Sequence, residues 1–212
     1  MVHSSQRILL ALLIALLLAP GRLQATSPGT SGPQGVVDLL LEYLSAKYPG
    51  AQLDGDILYV SVHRQRLFHV RAGVLVATYP VATSHKGPGC LRDSHCTPTG
   101  LHRITEKIGD DVPPLGILRE RSFTGELADP DFAGVDKDWI TSRILWLEGL
   151  EPGVNRGGEV DSHERHIYIH GTANERSVGT PSSMGCIRMR NDDVIALYAS
   201  APVGALVVVL DN

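Results

Sequence analysis

The sequence lacks a strong charge of either sign, a long apolar run in its interior and a large number of cysteines. Its 212 residues carry 19 basic and 23 acidic side chains, which gives a formal net charge of −4. Nucleic-acid-binding proteins usually present a strongly basic face, so this balance argues against a nucleic-acid partner. Because 43% of the residues are hydrophobic, the chain can bury a substantial core, and its length fits one domain.

The one long apolar run lies at the start of the chain. Residues 1–7 contain one Arg and no acid, and twelve apolar residues follow from Ile8 to Ala19. This pattern predicts a secretory signal peptide over residues 1–25, cleaved after Ala25. An uncleaved anchor and a buried core helix are the alternatives, although spanning a bilayer takes about twenty apolar residues. We therefore expect an exported protein with no membrane span after cleavage.

The three cysteines are few and odd in number. Cys90 and Cys96 lie in the polar stretch GPGCLRDSHC, and export would permit a disulfide between them. That bond would close a tight loop, with a contribution of about 2 kcal/mol. A metal site using His85, Cys90, His95 and Cys96 is the alternative, but its spacing matches no common zinc pattern, so we expect no metal. Cys186 is then left over, as a buried inert thiol or as a nucleophile.

The rest of the chain reads as a short N-terminal segment followed by a strand-rich domain. Residues 26–35 are rich in Ser, Thr, Gly and Pro and predict a linker, and Val36 to Tyr48 has helical spacing. Together they form a predicted linker and short helix over residues 26–54. The domain over 55–212 contains many short β-rich runs, which predict a mostly-β fold. Its class is a β-sandwich or partly closed barrel with one or two short flanking helices.

The predicted elements of this domain are short and separated by turn residues. Residues 121–138 have little apolar content and predict a long excursion without a strand, and Asn191 is the predicted N-cap of a helix over 192–198. The predicted strands are 57–63, 66–71, 74–81, 101–108, 115–118, 139–147, 166–170 and 206–210.

Alternation along the strand at 166–170 separates a core face from a polar face. Ile167 and Ile169 share one face, which we expect to be buried. His166, Tyr168 and His170 share the other face. His170 ends the predicted strand beside a glycine, and polar groups at strand ends next to loops are common sites of function. The three histidines His163, His166 and His170 could also suggest a metal site, but no set of acids completes it.

Cys186 is the candidate nucleophile, because a thiolate attacks carbonyl carbon well when a base stands beside it. His170 is the predicted partner, with a backbone carbonyl near Gly171 or Thr172 to orient its ring. The backbone amides of Gly185 and Cys186 could form an oxyanion hole. Arg188 could hold a substrate carboxylate through its forked guanidinium. The alternative is a packed core thiol beside a structural histidine.

Several motifs together resemble the L,D-transpeptidase catalytic domain family of the YkuD type. The paired segments IYIHGT at 167–172 and SMGCIRM at 183–189 resemble the family's signature, a His-Gly followed after a spacer by Ser-His-Gly-Cys and a nearby Arg. The TPTG at 97–100 resembles its TPxG element. The stretches RQRL at 64–67, YPV at 79–81 and PVG at 202–204 agree with the same pattern.

The resemblance implies an exported, cofactor-free enzyme of the periplasm or cell envelope that remodels peptidoglycan. Its donor would be a stem peptide, cleaved between the L-centre of a diamino acid and a terminal D-Ala, and its acceptor an amine on a second stem peptide or an envelope protein. On this basis Cys186 is the nucleophile and His170 the general base. The residues that match the motif around the acyl pocket are Gly171, Ser183, Gly185 and Arg188.

One residue departs from the family pattern, and two other functions remain open. Met184 stands where most members have His, so a polar group beside the nucleophile is missing. A hydrolase on the same fold would pass the acyl group to water, as an L,D-carboxypeptidase or a crosslink-cleaving enzyme. A cell-wall-binding relative with weak or no turnover is the non-enzymatic alternative.

Overall fold

The computed structural model describes residues 32–130 and 139–212. The predicted signal peptide over 1–25, its cleavage site and the first part of the predicted linker lie outside the described residues. Within the described part of the chain, no helix is long and apolar enough to cross a membrane.

A single curled sheet of ten strands forms the frame of the domain, as the mostly-β class predicted. Along the sheet the strand order is β3-β2-β1-β10-β4-β7-β5-β6, and β8 pairs with both β7 and β9. The strands are β1 (Asp56–Ser61), β2 (Arg66–Arg71), β3 (Val74–Pro80), β4 (Gly100–Ile108), β5 (Gly116–Arg119), β6 (Ser122–Leu127), β7 (Ile140–Gly149), β8 (Tyr168–Thr172), β9 (Ile187–Met189) and β10 (Leu206–Leu210).

Two helices, α1 (Pro33–Lys47) and α2 (Asn191–Ser200), accompany the sheet. The alternation of β1 shows how both faces are covered. Ile57 and Tyr59 join one buried cluster together with Leu40 of α1. Leu58 joins a second cluster together with Leu197 of α2. Because side chains alternate along a strand, one apolar run thereby serves two cores.

The final strand lies in the middle of the sheet rather than at its edge. β10 pairs in parallel with β1, with Ile57 opposite Leu206, and antiparallel with β4 on its other side. Val207, Val208 and Val209 are buried, which explains why this segment reads as a continuous apolar run. The last strand therefore joins the N-terminal meander to the half of the sheet that carries the candidate site.

Three predictions about elements are corrected by the structure. Helix α1 begins at Pro33 rather than Val36, because proline is well tolerated in the first helical turn. The excursion predicted over 121–138 contains a strand, β6, whose exposed side chains give no apolar alternation; residues 131–138 lie outside the described residues. The strand predicted at 166–170 runs instead over Tyr168–Thr172.

The start of α2 also differs from the prediction. Asn191 is the first helical residue rather than the N-cap, and Arg190 occupies the cap position without a side-chain hydrogen bond. The carboxylate of Glu175 accepts hydrogen bonds from the Asn191 backbone N–H and side-chain amide, each at 2.7 Å. A negative charge from a distant loop thus satisfies this helix N-terminus, which sequence spacing could not reveal.

Candidate active site

The register of β8 and β9 places the histidine and the cysteine on one face of the sheet. In this parallel pair His170 is opposite Arg188, and Ile169 is opposite Ile187. Cys186 directly precedes β9, and the next step of the same register sets it beside Tyr168. Ile169 and Ile187 both enter the main core, so the alternate residues face the opposite side.

His170 is buried, with 1% of its surface exposed. Its Nδ1 lies 2.7 Å from the carbonyl oxygen of Gly171. A carbonyl can only accept a hydrogen bond, so Nδ1 carries a proton, and Nε2 is the ring nitrogen left to exchange a proton with a neighbour. The backbone of the next residue therefore performs the orienting role that the sequence assigned to a carbonyl near Gly171 or Thr172.

The sulfur of Cys186 lies between a backbone donor and a backbone acceptor of the segment leading into β8. The Tyr168 N–H donates to Sγ at 3.4 Å, and the thiol donates to the His166 carbonyl at 3.4 Å. A backbone N–H aimed at sulfur favours the thiolate, because it donates to the negative charge. His166 holds this position with a φ of +55°, a left-handed conformation that non-glycine residues seldom adopt.

The turn before the cysteine is fixed by Ser183 and Gly185. Ser183 is fully buried, and its hydroxyl donates to the Cys186 carbonyl at 2.6 Å while accepting from the Gly185 N–H at 3.2 Å. Gly185 has a φ of +127°, which a side chain would strain. These contacts give both residues a clear part in holding the turn. The oxyanion-hole role of the Gly185 and Cys186 amides stays a prediction.

Arg188 lies beneath the site rather than at its surface. Its side chain is 5% exposed, and Nη2 donates to the Ser182 hydroxyl at 2.6 Å and to Ser177 at 3.5 Å. Both serines belong to the loop that joins β8 to the cysteine. The guanidinium therefore braces that loop, and the carboxylate-binding role remains a sequence-based prediction.

The segment Gly87–Cys96, which we call the cysteine loop, packs directly against the nucleophile turn. A Cβ added at Gly185 would lie 3.3 Å from the Cys96 carbonyl oxygen. Arg165 holds this loop, since its Nη atoms donate to the carbonyls of Cys90 and Cys96, each at 2.8 Å. The cysteine loop, which directly precedes the TPTG segment at 97–100, thus forms one wall of the site.

Arg165 also places a positive charge among all three thiols. Its pKa is lowered by burial of the guanidinium, and the nearby groups of Cys90, Cys96 and Cys186 act in the opposite direction. A cation stabilises a nearby thiolate, so this charge bears on the reactivity of the candidate nucleophile Cys186. A second arginine, Arg92, ties the same loop to Glu164 at 2.7 Å on the protein surface.

Cys90 and Cys96 are both free thiols in this structure. A Cβ added at Gly89 would lie 2.9 Å from the Cys96 Cβ, so Cys96 packs onto the residue that precedes Cys90. Their pairing stays a prediction. For the metal alternatives, the described residues contain no group of three His, Cys, Asp or Glu side chains arranged to hold an ion.

An aromatic cluster covers the polar side of β8. The Trp146 ring stacks on His163 with centroids 4.0 Å apart and meets Tyr168 edge-on at 5.5 Å. The Arg121 guanidinium carbon lies 4.7 Å from the centroid of the same Trp146 ring. Cys186 packs at the edge of this cluster. Burial, reinforced by the charge of Arg121, lowers the pKa of His166, which favours its neutral form.

Sequence reasoning missed Arg121, Trp146 and Arg165. Each acts through residues far along the chain: Arg165 bonds to Cys96, and Arg121 reaches Trp146 across the sheet. No local spacing connects such pairs.

Comparisons with known proteins identify the family of the chain. A family model described as the L,D-transpeptidase catalytic domain matches residues 55–209. The putative L,D-transpeptidase YqjB of Bacillus subtilis is 46% identical over 119 residues, which cover 53% of this chain and 60% of that protein. The probable L,D-transpeptidase ErfK/SrfK of Escherichia coli is 46% identical over 48 residues, 23% of this chain and 16% of that protein.

Among solved structures, L,D-transpeptidase 3 from Mycobacterium tuberculosis aligns with a TM-score of 0.47 and 14% identity, over 74% of this chain and 61% of that one. The present chain spans less than two thirds of the length of the curated relatives named above. The family match alone covers most of the chain and includes both segments that carry the candidate histidine and cysteine. The chain belongs to the L,D-transpeptidase catalytic domain family.

Proposed function

We propose that this protein is an exported cysteine acyltransferase that remodels peptidoglycan in the periplasm or cell envelope. The donor is a stem peptide, and the acceptor is an amine on a second stem peptide or an envelope protein. One observation carries the proposal. A histidine with Nδ1 fixed on its own strand's carbonyl shares a sheet face with a cysteine whose sulfur receives a backbone N–H.

The first half-reaction forms an acyl-enzyme. The proton of the Cys186 thiol passes to Nε2 of His170, and the sulfur attacks the carbonyl of the diamino acid residue in the donor. The carbon–sulfur bond forms, the bond to D-Ala breaks, and His170 returns the proton to the departing amine. A ring already held in the Nδ1–H tautomer supports both transfers without turning over.

The second half-reaction releases the acyl group. His170 takes a proton from the acceptor amine, the amine attacks the thioester, and the sulfur leaves and regains a proton. Gly171, Ser183, Gly185 and Arg188 support this site through the backbone and loop contacts described above. Water in place of the amine would make the protein an L,D-carboxypeptidase or a crosslink hydrolase.

Intact mass spectrometry tests the proposal. Wild-type protein incubated with a tetrapeptide stem donor should gain the mass of the tripeptide acyl group, and Cys186→Ala should gain nothing. Cys90→Ser is the matched control and should acylate like the wild type. Adding an amine acceptor should then yield product that carries the acceptor. Free tripeptide would instead identify a hydrolase, and the absence of any adduct on folded wild type would refute the enzymatic function.

A further inference from the structure

Three arginines surround the candidate nucleophile, and two of them are committed to the protein's own backbone and loops. Arg188 is buried against Ser182, and Arg165 bonds to the carbonyls of the cysteine loop. Arg121 differs from both. It is partly exposed, and within the described residues no carboxylate forms an ion pair with it.

The backbone presents Arg121 in an unusual way. Glu120 and Arg121 form the two-residue turn between β5 and β6, with φ values of +48° and +66°. Two consecutive left-handed residues are typical of a tight hairpin turn, but asparagine and glycine are the residues that normally occupy it. Arg121, a charged residue with a long side chain, therefore occupies a left-handed backbone conformation that such residues seldom adopt. Such strain often marks a functional position.

The side chain of Arg121 is then directed to the aromatic cluster. Its guanidinium lies over the Trp146 ring at 4.7 Å and interacts with the Tyr168 side chain. Tyr168 in turn donates its backbone N–H to the Cys186 sulfur. A guanidinium resting on an aromatic face keeps its in-plane N–H groups available to other partners. Arg121 thus contacts Tyr168, the residue whose backbone N–H binds the nucleophile's sulfur, and lies at the rim of the site.

The chemistry of the donor supplies a partner for this cation. In the reaction proposed above, D-Ala leaves with a free carboxylate, one residue beyond the bond that is cleaved. One extended residue spans about 3.5 Å, so this carboxylate lies close to the attacked carbonyl. A planar guanidinium fork matches a carboxylate in two parallel hydrogen bonds.

We infer that Arg121 is a specificity-determining residue that binds the terminal carboxylate of the donor stem peptide. This inference rests on the proposed function, because it assigns the end of that donor. A fixed cation selects donors that end one residue after the cleaved bond, since a longer peptide carries its carboxylate farther away. It also explains how the site can recognise an anion while Arg188 remains buried.

Two donors of one sequence test the inference, a tetrapeptide with a free C-terminal carboxylate and its C-terminal amide. Wild type should acylate faster with the free acid, by kcat/KM on the order of 10- to 100-fold, the usual effect of a charge-assisted pair. Arg121→Gln should lose most of that preference, because its rate with the free acid falls far more than its rate with the amide. Arg121→Lys should retain part of it, since the charge remains and the fork is lost.

Arg119→Gln is the matched control, because Arg119 is an exposed residue of the same hairpin, two positions earlier. It should keep the full preference. The rate of Cys186 alkylation by iodoacetamide is measured in wild type and Arg121→Gln as well, because any change in it reports an effect on the nucleophile that both donors share and that cancels in the ratio of the two acylation rates. Equal loss of both donors in Arg121→Gln, or no preference in the wild type, would overturn the inference.

A binding arm separates failure of this inference from failure of the proposed function. Dissociation constants of the two tetrapeptides are measured on Cys186→Ala and on the Cys186→Ala, Arg121→Gln double variant, where no chemistry occurs. The first should bind the free acid more tightly, and the second should bind both alike. This pattern without acylation of wild type would sink the proposed enzyme and keep the carboxylate site. Equal binding of both donors by Cys186→Ala refutes the site.

Discussion

A single backbone carbonyl determines which nitrogen of His170 can act as a base. Many Cys–His pairs use a side-chain acid or amide to orient the ring, whereas here the Gly171 carbonyl at 2.7 Å does so. The orienting group is therefore immune to side-chain substitution. The loss of a polar group at Met184 leaves this arrangement untouched, because Met184 is 55% exposed and outside the His170 contact.

Replacement of His170 in β8 and of His166 in the segment before β8 should have very different effects on acylation. We expect His170→Ala to lose acylation by about a hundredfold or more, the usual contribution of a general base. His166→Ala should retain most of the activity, because His166 contributes its backbone carbonyl rather than its ring to the sulfur. Acyl-enzyme formation followed by mass spectrometry measures both. Comparable losses in the two variants would show that the wrong base was assigned.

Arg165 should affect the reactivity of Cys186 through charge. We expect Arg165→Gln to slow alkylation of Cys186 at neutral pH several-fold, because the cation that favours the thiolate is gone. Arg92→Gln is the control, since Arg92 braces the same loop from the surface, and it should leave the rate close to wild type. The measurement is the rate of iodoacetamide labelling from pH 6 to pH 9. If both variants behave alike, looseness of the loop rather than charge is responsible.

The remaining thiols make a separate prediction. In an oxidising buffer Cys90 and Cys96 should pair, because the side chain of Cys96 packs on the residue that precedes Cys90. Alkylation without reductant should then label Cys186 alone, and labelling after reduction should reach all three cysteines. Peptide mapping by mass spectrometry identifies the sites. Three labelled cysteines before reduction would exclude the pairing.

At the residue scale, sequence reasoning works where the signal is local. The motif around Cys186 and the alternation along the strand that contains His170 select both residues, and the structure places them on one sheet face, while their catalytic roles stay predictions. Sequence reasoning did not single out Arg165 and Arg121, because the contacts that place each of them near the site are with residues distant in sequence. Their contacts depend on how two loops and a hairpin meet, and one sequence contains no local trace of that.

At the scale of elements, several buried hydrogen bonds of Asn191 connect α2 to the end of β8. Asn191 is 3% exposed, donates to the Thr172 carbonyl at 2.9 Å, and accepts from the hydroxyls of Thr141 and Ser142. A Cβ at Gly171 would lie 2.9 Å from its side-chain oxygen. The amide thus ties β7, β8 and α2 together one residue beyond the histidine.

Replacing this amide should weaken both stability and activity. We expect Asn191→Ala to lower the free energy of unfolding by about 2–4 kcal/mol, because several buried polar groups lose their partner. Asp192→Ala, at an exposed position on the same helix, should change it by well under 1 kcal/mol. Urea unfolding measures both variants. A loss in Asn191→Ala no larger than in the control would contradict this role.

Strands whose apolar residues alternate or form a run were predicted close to their observed ranges. Strands that exist only because they pair with a neighbouring strand were not predicted. The ranges of β2 and β10 match the predictions, and most other predicted strands differ by one or two residues. Strand β9 has only three residues and exists because it pairs with β8. Strand β6 is exposed and exists because it pairs with β5 across a two-residue turn. Neither feature depends on apolar periodicity, which is the signal that sequence reasoning uses.

At the scale of the whole molecule, one buried histidine should shape the pH dependence of stability. His102 is fully buried between the Gly100 carbonyl and the Ser162 hydroxyl. Burial lowers its pKa from 6.5 to about 4. Between pH 6.5 and pH 4, His102 is therefore protonated in the unfolded chain but neutral in the folded chain. The stabilisation is complete above pH 6.5 and is lost as the pH falls towards 4.

The expected loss from this group is about 3 kcal/mol across that window. His102→Gln should flatten the pH dependence of the unfolding free energy between pH 6.5 and 4, even if the variant is less stable throughout. The carboxyls of Asp56 and Asp161 provide an internal control. Burial raises the pKa of these two carboxyls, but their hydrogen-bond partners outweigh it and leave each pKa below 3.8. The stability that the charged carboxylates contribute is therefore lost only below about pH 3.8. An unchanged slope in His102→Gln would rule out its contribution.

The position of β10 has a consequence for the order of events during synthesis. The strand that bridges β1 and β4 is made after the other nine strands of the sheet, so the N-terminal meander and the half that carries the candidate site each have an unpaired edge until about residue 210 has emerged from the ribosome. Contacts between residues some 150 positions apart are slow to form because of their loop-closure entropy. A nascent chain of this protein therefore carries two unpaired sheet edges, which can bind other strands, until β10 has been made.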